Sequence, residues 1–126
     1  LVALGNPPAK PRRTDVGTRA RDGALYDAKT GATGQLWPSL SDLRHALLLF
    51  EDDKRSFALG GIADVSTDRL AILRLDSRAD PGGKLRRRYR IDGCGWVLVR
   101  PDQVIAARGM DTDLAPARRY LDRIVR

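Results

Sequence analysis

The sequence predicts an α/β sandwich in which a central mixed sheet carries helices on its flanks. Two continuous apolar runs, His45–Phe50 and Trp96–Val99, are typical of strands that are buried on both faces of a sheet. The predicted elements follow in the order of two strands, a core strand, a short helix, a strand, a helix, a hairpin and a closing helix. This order favours a parallel pair of strands, to which the hairpin adds antiparallel ones.

The composition limits the classes of protein to which this chain can belong. A chain of 126 residues, 42% of them hydrophobic, is long enough for one domain with a packed core. There are 23 basic and 16 acidic residues, a formal charge of +7, but the two signs are interspersed, so an ordinary solvated surface is favoured over a nucleic-acid-binding face. The single cysteine excludes an intramolecular disulfide and a Cys-x-x-Cys pair, and the single histidine cannot complete a Cys/His zinc site.

The sequence contains no segment suited to crossing a membrane. Its longest uninterrupted apolar run, Ala46–Phe50, is far shorter than the roughly 20 residues that span a bilayer. The chain begins at Leu1 with neither a methionine nor the apolar core of a signal peptide. We therefore expect a piece of a longer cytoplasmic protein that does not bind membranes.

The chain before the core strand divides into an arm and a hairpin. Residues 1–14 hold three prolines beside basic side chains, which predicts a linker or arm, followed by a single domain over residues 15–126. The linker is favoured over a basic arm that grips phosphates. The elements predicted next are a strand at Ala24–Asp27, a glycine loop at Thr30–Gly34, an extended run at Gln35–Trp37 and a helical turn over Asp42–Arg44.

The core strand His45–Phe50 leads into a crossover. Apolar residues at helical spacing predict a short helix over Ser56–Val65, which Gly60 and Gly61 weaken by about 1 kcal/mol each relative to alanine. A phosphate-binding loop at these glycines is disfavoured, because they do not stand between a strand and a helix with a following lysine or serine. The largely apolar run Arg69–Leu75 predicts a strand parallel to the core strand.

A basic cluster follows this strand. A helix over Asp80–Arg90 would place Leu85 and Tyr89 on one face. The side chains expected to point away from that face are Arg86, Arg87 and Arg90. Five of the seven residues in Lys84–Arg90 are basic. A helix face exposed to solvent or to a neighbouring domain is favoured over a nucleic-acid-binding surface.

The last third of the chain predicts a hairpin. Trp96–Val99 and Val104–Ala107 form its strands, since Arg100–Gln103 holds proline and aspartate where a tight turn favours them, and Gly109 closes the second strand. Cys94 lies between two glycines just before the hairpin. A buried structural thiol is favoured here over a nucleophile, because no histidine base is nearby in the sequence.

Asp113–Val125 predicts an amphipathic closing helix. Thr112 or Asp113 is the expected N-cap, and Pro116 falls in the first turn, where its missing N–H is harmless. The apolar stripe expected along this helix consists of Leu114, Ala117, Leu121, Ile124 and Val125.

Three stretches carry a family pattern. Val16–Asp22 follows Pro-Gly-x-Arg-Ala-Pro-Asp, with valine and arginine in place of the two prolines. Asp80–Tyr89 fits Asp-x-x-Gly-x-Leu-x-x-Arg-Tyr, and Val99–Asp102 is followed by a short strand that ends at Arg108–Gly109. Together they resemble the C-terminal domain of FAD-dependent aromatic-ring hydroxylases, the flavoprotein monooxygenases that include phenol, hydroxyphenylpropionate and polyketide hydroxylases.

The resemblance covers roughly residues 15–126 and implies a thioredoxin-like sandwich without Cys-x-x-Cys. In a redox-active thioredoxin the thiol pair directly follows the core strand, where this chain has Glu51–Ser56 and no thiol. A redox-inactive domain is therefore expected, as in the hydroxylase family.

The resemblance also implies a function. The chain would be the non-catalytic C-terminal domain of a flavin-dependent monooxygenase of phenolic compounds, supporting stability, interdomain packing or dimerisation. FAD and NAD(P)H would bind elsewhere in the parent enzyme, whose FAD-binding and substrate domains are the implied partners. Within this chain the sequence assigns no catalytic, cofactor-binding or metal-binding residue. The alternatives are a free-standing, redox-inactive thioredoxin-like binding module and, less favoured, a basic nucleic-acid-binding module.

Overall fold

The structure is a computed structural model that describes residues 16–21, 23–26, 33–36, 44–65 and 68–124. The predicted arm over residues 1–14 lies outside these ranges, and so does the predicted helical turn before Arg44. No helix in the described ranges is long and apolar enough to cross a membrane.

An antiparallel hairpin precedes the main sheet. Its strands are β1 (Ala24–Tyr26) and β2 (Thr33–Gln35). The predicted glycine loop is wrong at its end, because Gly34 pairs with Leu25 across this hairpin. The second strand therefore begins two residues before the predicted start at Gln35.

In the described part of the chain the main sheet has four strands, which are β3 (His45–Phe50), β4 (Leu70–Leu75), β5 (Gly95–Val99) and β6 (Ile105–Gly109). Their spatial order is β4-β3-β5-β6, in which β3 and β4 are parallel and the other neighbours are antiparallel. The predicted core strands, the parallel crossover and the hairpin are thus confirmed, although β6 begins one residue later than predicted and continues through Gly109. Gln103 ends the hairpin turn with a φ of 67° and donates its amide to the carbonyl of Arg100 at 2.9 Å.

The described residues also form two helices and two 3₁₀ turns, of which all but the closing helix lie between strands of the main sheet. The helices are α1 (Lys84–Arg88) and α2 (Ala115–Ile124), and the 3₁₀ turns are Gly60–Asp64 and Pro81–Gly83. The predicted helix over Ser56–Val65 is wrong in type, because Gly60 has a φ of +54°, outside α-helical geometry. The predicted helix over Asp80–Arg90 is wrong in its first turn, since Gly82 and Gly83 also have positive φ.

The closing helix α2 agrees with the prediction except at its end. The carboxylate of Asp113 accepts the amide of Ala115 at 3.0 Å, so Asp113 is the cap. The residues of the predicted stripe that are buried are Leu114, Ala117 and Leu121. Ile124 is 57% exposed, because it lies on the rim of an open cleft beside Tyr120. Val125 lies outside the described residues.

Both faces of the sheet are covered. One face, here called the α1 face, packs strand residues against the α1 region; its larger buried side chains include Leu48, Phe50, Val97, Val99, Leu85 and Tyr89. The opposite α2 face buries Leu47, Leu49, Trp96, Leu98, Leu114 and Leu121, among others. Every residue of β3 and β5 is buried, because alternate side chains enter one core or the other.

Residues 16–21, here called the entry segment, run beside part of one edge of the sheet. The amide of Gly17 donates to the carbonyl of Ile105 at 2.8 Å, and the amide of Ile105 donates to the carbonyl of Thr18 at 2.8 Å. Ala20 adds a bond to the carbonyl of Gln103 at 2.7 Å. The outer edge of β6 is therefore paired where the entry segment runs beside it.

Candidate functional site

The carboxyl end of β3 is the position at which a redox-active thioredoxin would carry its thiols. Here the buried carboxylate of Glu51 accepts the amide of Phe57 at 2.9 Å and the guanidinium of Arg74 at 2.5 Å. Arg74 also donates to the carbonyl of Phe57 at 3.2 Å. The Glu51–Arg74 ion pair and the bond from Arg74 to the carbonyl of Phe57 therefore hold the segment after β3, where a redox-active thioredoxin has its thiols.

Arg86 ties three strand ends together at this same edge. Its guanidinium donates to the carbonyl of Glu51 at 2.6 Å and to the carbonyl of Leu75 at 3.1 Å. It also donates to the carbonyl of Gly93 and lies 5.8 Å from the ring centroid of Phe50. The expectation that Arg86 points away from the face of Leu85 and Tyr89, toward solvent or a neighbouring domain, is therefore wrong, because its guanidinium satisfies three backbone carbonyls at the sheet edge.

Cys94 and His45 are not brought together. Cys94 directly precedes β5, whose Gly95 pairs with Phe50 at the carboxyl end of β3, whereas His45 begins β3. At about 3.3 Å per residue the two ends of this strand are roughly 16 Å apart. Burial raises the pKa of the Cys94 thiol, although Arg55 nearby acts to lower it. The Cys94 side chain is fully buried, and its raised pKa keeps the thiol protonated at neutral pH. Both features disfavour nucleophilic chemistry.

His45 lies in a cleft at the opposite end of the sheet. Its Nε2 is 3.2 Å from the hydroxyl of Tyr120, and the cleft of about 370 Å³ is also lined by the Arg100–Asp102 ion pair. Burial lowers the pKa of His45, and the charge of Arg100 lowers it further, so the imidazole is neutral at pH 7. Among the described residues that line this cleft, the hydrogen-bond partner of the imidazole is the Tyr120 hydroxyl.

The basic cluster forms a separate cleft beside α1. The cleft has a volume of about 460 Å³ and is lined by Arg21, Lys84, Arg87, Arg88 and Arg90. Four of these residues belong to the cluster that the sequence identified. Arg21 comes from the entry segment, and no signal in the sequence links it to the cluster. The contact that joins them is the hydroxyl of Tyr89, which donates to the carbonyl of Arg21 at 2.6 Å.

Within the described ranges, no three His, Cys, Asp or Glu side chains come together in a way that could hold a metal ion. The described residues thus form a cleft at His45, a basic cleft beside α1, and a sheet edge at which Glu51 pairs with Arg74. Of these three places, the basic cleft brings together the most charges of one sign.

Comparisons with solved structures define the class of fold. A putative protein disulfide isomerase from Bacteroides thetaiotaomicron matches with a TM-score of 0.68 at 15% identity, covering 89% of this chain and 91% of that one. The thioredoxin Etrx1 of Streptococcus pneumoniae matches with a TM-score of 0.59 at 14% identity, over 82% of this chain and all of that one. The chain has a thioredoxin-like α/β fold, as predicted.

Two flavoenzymes match the same fold over part of their length. Aklavinone-11 hydroxylase, solved with FAD and aklavinone, has a TM-score of 0.66 at 22% identity, covering 100% of this chain and 24% of that one. The flavin-dependent monooxygenase PieE has a TM-score of 0.58 at 24% identity, covering 91% of this chain and 22% of that one. This chain therefore spans less than a quarter of either enzyme. No family model and no curated protein matches the sequence.

Proposed function

We propose that this chain is the C-terminal domain of a flavin-dependent aromatic monooxygenase, in which it has no part in the chemistry. The observation that carries the proposal is the match of the whole chain to a 24% portion of aklavinone-11 hydroxylase. The family motifs of the sequence support it. In this proposal FAD, NAD(P)H and the phenolic substrate bind to other domains of a cytoplasmic parent enzyme, and this domain packs on them or mediates dimerisation.

The contacts at the carboxyl end of β3 support a role without redox chemistry. The carboxylate of Glu51 and the guanidinium of Arg86 occupy the edge where a thioredoxin would act. The single thiol, Cys94, is buried and has no second cysteine in this sequence with which to form a disulfide. We therefore expect no turnover above the reductant background when the chain is assayed for insulin reduction with dithiothreitol.

The parent reading frame provides the first test. We expect sequence upstream of Leu1 to encode a dinucleotide-binding fingerprint, and the full-length protein to purify yellow with bound FAD. The 126-residue chain should purify colourless and leave flavin fluorescence unchanged on titration. A reading frame that ends shortly upstream, without such a fingerprint, would reject the proposal.

The supporting role is tested by variants of the full-length enzyme. Val97→Asp places a charge in the buried centre of β5, which should unfold this domain and lower the yield or assembly of the enzyme. Arg119→Ala, on the exposed side of α2, is the matched control and should do neither. Single alanines at Arg19, Cys94, Arg100 and Asp102 should leave turnover per bound FAD within a few-fold of wild type. A hundredfold loss at one of them, with FAD content intact, would mean that the domain reaches the active site.

A free-standing thioredoxin-like binding module is the second candidate. It is favoured by the match to the putative protein disulfide isomerase, which this chain covers over 91% of its length. This candidate predicts a short reading frame with a start codon close to Leu1, so the same sequencing result decides between the two.

A further inference from the structure

The basic cleft holds five cationic side chains and is independent of the proposed function. Its lining, Arg21, Lys84, Arg87, Arg88 and Arg90, comes from the entry segment, from α1 and from the residue two positions after α1. Every described residue that lines this concavity of about 460 Å³ is basic, so the described part of its lining presents positive charge alone. This volume falls in the range of small-molecule sites.

The backbone around the cleft is fixed by specific contacts. The hydroxyl of Tyr89, a fully buried residue, holds the carbonyl of Arg21 at 2.6 Å. On the other side the guanidinium of Arg87 donates to the carbonyl of Gly82 at 2.6 Å. Arg90 has a φ of 58°, which turns the chain sharply after α1. The side chains therefore converge from a scaffold that the core holds in place.

The charges of the cleft are not neutralised within the described ranges. Elsewhere in the described ranges, four arginines each form an ion pair with a carboxylate within 4.0 Å, namely Arg55, Arg74, Arg78 and Arg100. None of the five lining residues forms such a pair with a described carboxylate. Like charges in one concavity repel each other, and a bound polyanion would relieve this repulsion.

The lining also indicates what kind of anion fits. The guanidinium forks of the four arginines match phosphate oxygens in bidentate geometry, and Lys84 adds a compact charge. None of the described residues that line the cleft is aromatic, so these residues recognise a ligand through its phosphates rather than by stacking on a base. Five charges around one concavity suit several phosphates joined together, whereas a nucleic-acid backbone needs charges spaced along a track.

From these observations we propose that the basic cleft binds a compact oligophosphate, either inorganic or at the end of a small molecule such as a nucleoside triphosphate. Binding is noncovalent and needs no metal from the protein. The fork geometry predicts that tripolyphosphate binds at least about ten-fold more tightly than orthophosphate, because it engages more of the cations at once.

Isothermal titration calorimetry of the 126-residue chain with tripolyphosphate tests the proposal directly. We expect saturable one-to-one binding at about 50 mM salt, with a dissociation constant on the order of 10 μM, weakening steeply by about 200 mM salt. ATP should bind with similar affinity and adenosine should not bind. The absence of saturable binding of tripolyphosphate at the lower salt would overturn the proposal.

A matched pair of double variants assigns the site. Lys84→Glu with Arg88→Glu reverses two charges in the cleft and should weaken binding at least about ten-fold. Arg119→Glu with Arg123→Glu makes the same change in net charge on α2, which covers the opposite face of the sheet, and should change affinity less than about two-fold. Equal weakening by both pairs would show that binding depends on net charge alone and would overturn the assignment of the site to the basic cleft.

Two further measurements keep the test decisive. Arg21→Gln leaves α1 unchanged and should weaken binding about three-fold, so the site is still tested if the first double variant fails to fold. Duplex DNA at equal phosphate concentration should compete poorly with tripolyphosphate. Tighter binding of DNA per phosphate would replace the oligophosphate proposal with a nucleic-acid-binding surface.

Discussion

Helix α1 contributes basic side chains both to the carboxyl end of β3 and to the basic cleft, and these side chains have opposite roles in the two regions. At the sheet edge, Arg86 satisfies three backbone carbonyls, and Arg74 neutralises Glu51. In the cleft, Lys84 and Arg88 face open space and pair with no carboxylate in the described ranges. A charge that satisfies buried partners stabilises the fold, whereas a charge held beside like charges is available to a ligand.

Removing Arg86 should give the largest effect at the sheet edge. Arg86→Ala is expected to lower the free energy of unfolding by about 2–4 kcal/mol, because three carbonyls lose a charged donor. Equilibrium urea denaturation measures this loss. Arg86→Lys keeps the charge without the planar fork and should recover only part of the stability. A loss below about 0.5 kcal/mol would place Arg86 among ordinary surface residues.

Glu51→Gln should have the next largest effect. The amide side chain keeps the shape of Glu51 but removes the charge that Arg74 and the amide of Phe57 share, so we expect a loss of about 1–2 kcal/mol in the same denaturation assay. Arg74→Ala is the companion variant, and its cost should be smaller because the side chain of Arg74 is 44% exposed. A larger cost for Arg74→Ala would show that the ion pair, rather than the buried acceptor, dominates.

His45, at the end of β3 opposite to Glu51, should make the stability of the protein depend on pH. Its pKa is lowered in the folded state by burial and by Arg100, so the unfolded chain takes up a proton first as pH falls below about 6.5. Stability should therefore be complete above that pH and decline below it. The hydrogen bond from Arg100 also lowers the pKa of the facing carboxylate, Asp102, below its ordinary value. Urea midpoints at about pH 7.5 and 5.5 should differ in wild type.

His45→Gln is the control for this pH dependence. It removes the titrating group while retaining a side chain that can reach the hydroxyl of Tyr120. Its urea midpoint should change less than that of wild type across the same pH interval. An unchanged slope in the variant would assign the pH dependence to other groups.

The smallest effect is expected in the basic cleft. Arg88→Ala should change the free energy of unfolding by less than about 0.5 kcal/mol, and a slight stabilisation is the expected sign, because one member of a repelling set is removed. The free energy of unfolding of Arg88→Ala should be compared with that of Arg86→Ala, a change two positions away in the same helix. A loss in Arg88→Ala similar to that in Arg86→Ala would remove the distinction between the two regions.

The sheet could be predicted from sequence because its signals are local. Continuous apolar runs mark β3 and β5, and the proline and aspartate of Arg100–Gln103 mark the hairpin turn. The role of Arg86 could not be predicted, since in a run of basic residues nothing distinguishes the one that turns inward. Arg21 joins the basic cleft through a contact with Tyr89 across 68 positions of sequence, and no pattern in one sequence encodes that pairing.

The entry segment covers only the first part of the outer edge of the main sheet. Gly17 and Thr18 pair with Ile105, and Ala20 bonds to the carbonyl of Gln103, so another chain could add a strand at this part of the edge only by displacing the entry segment. The hydrogen bonds that hold the entry segment in place therefore also protect the start of β6 from edge-to-edge pairing.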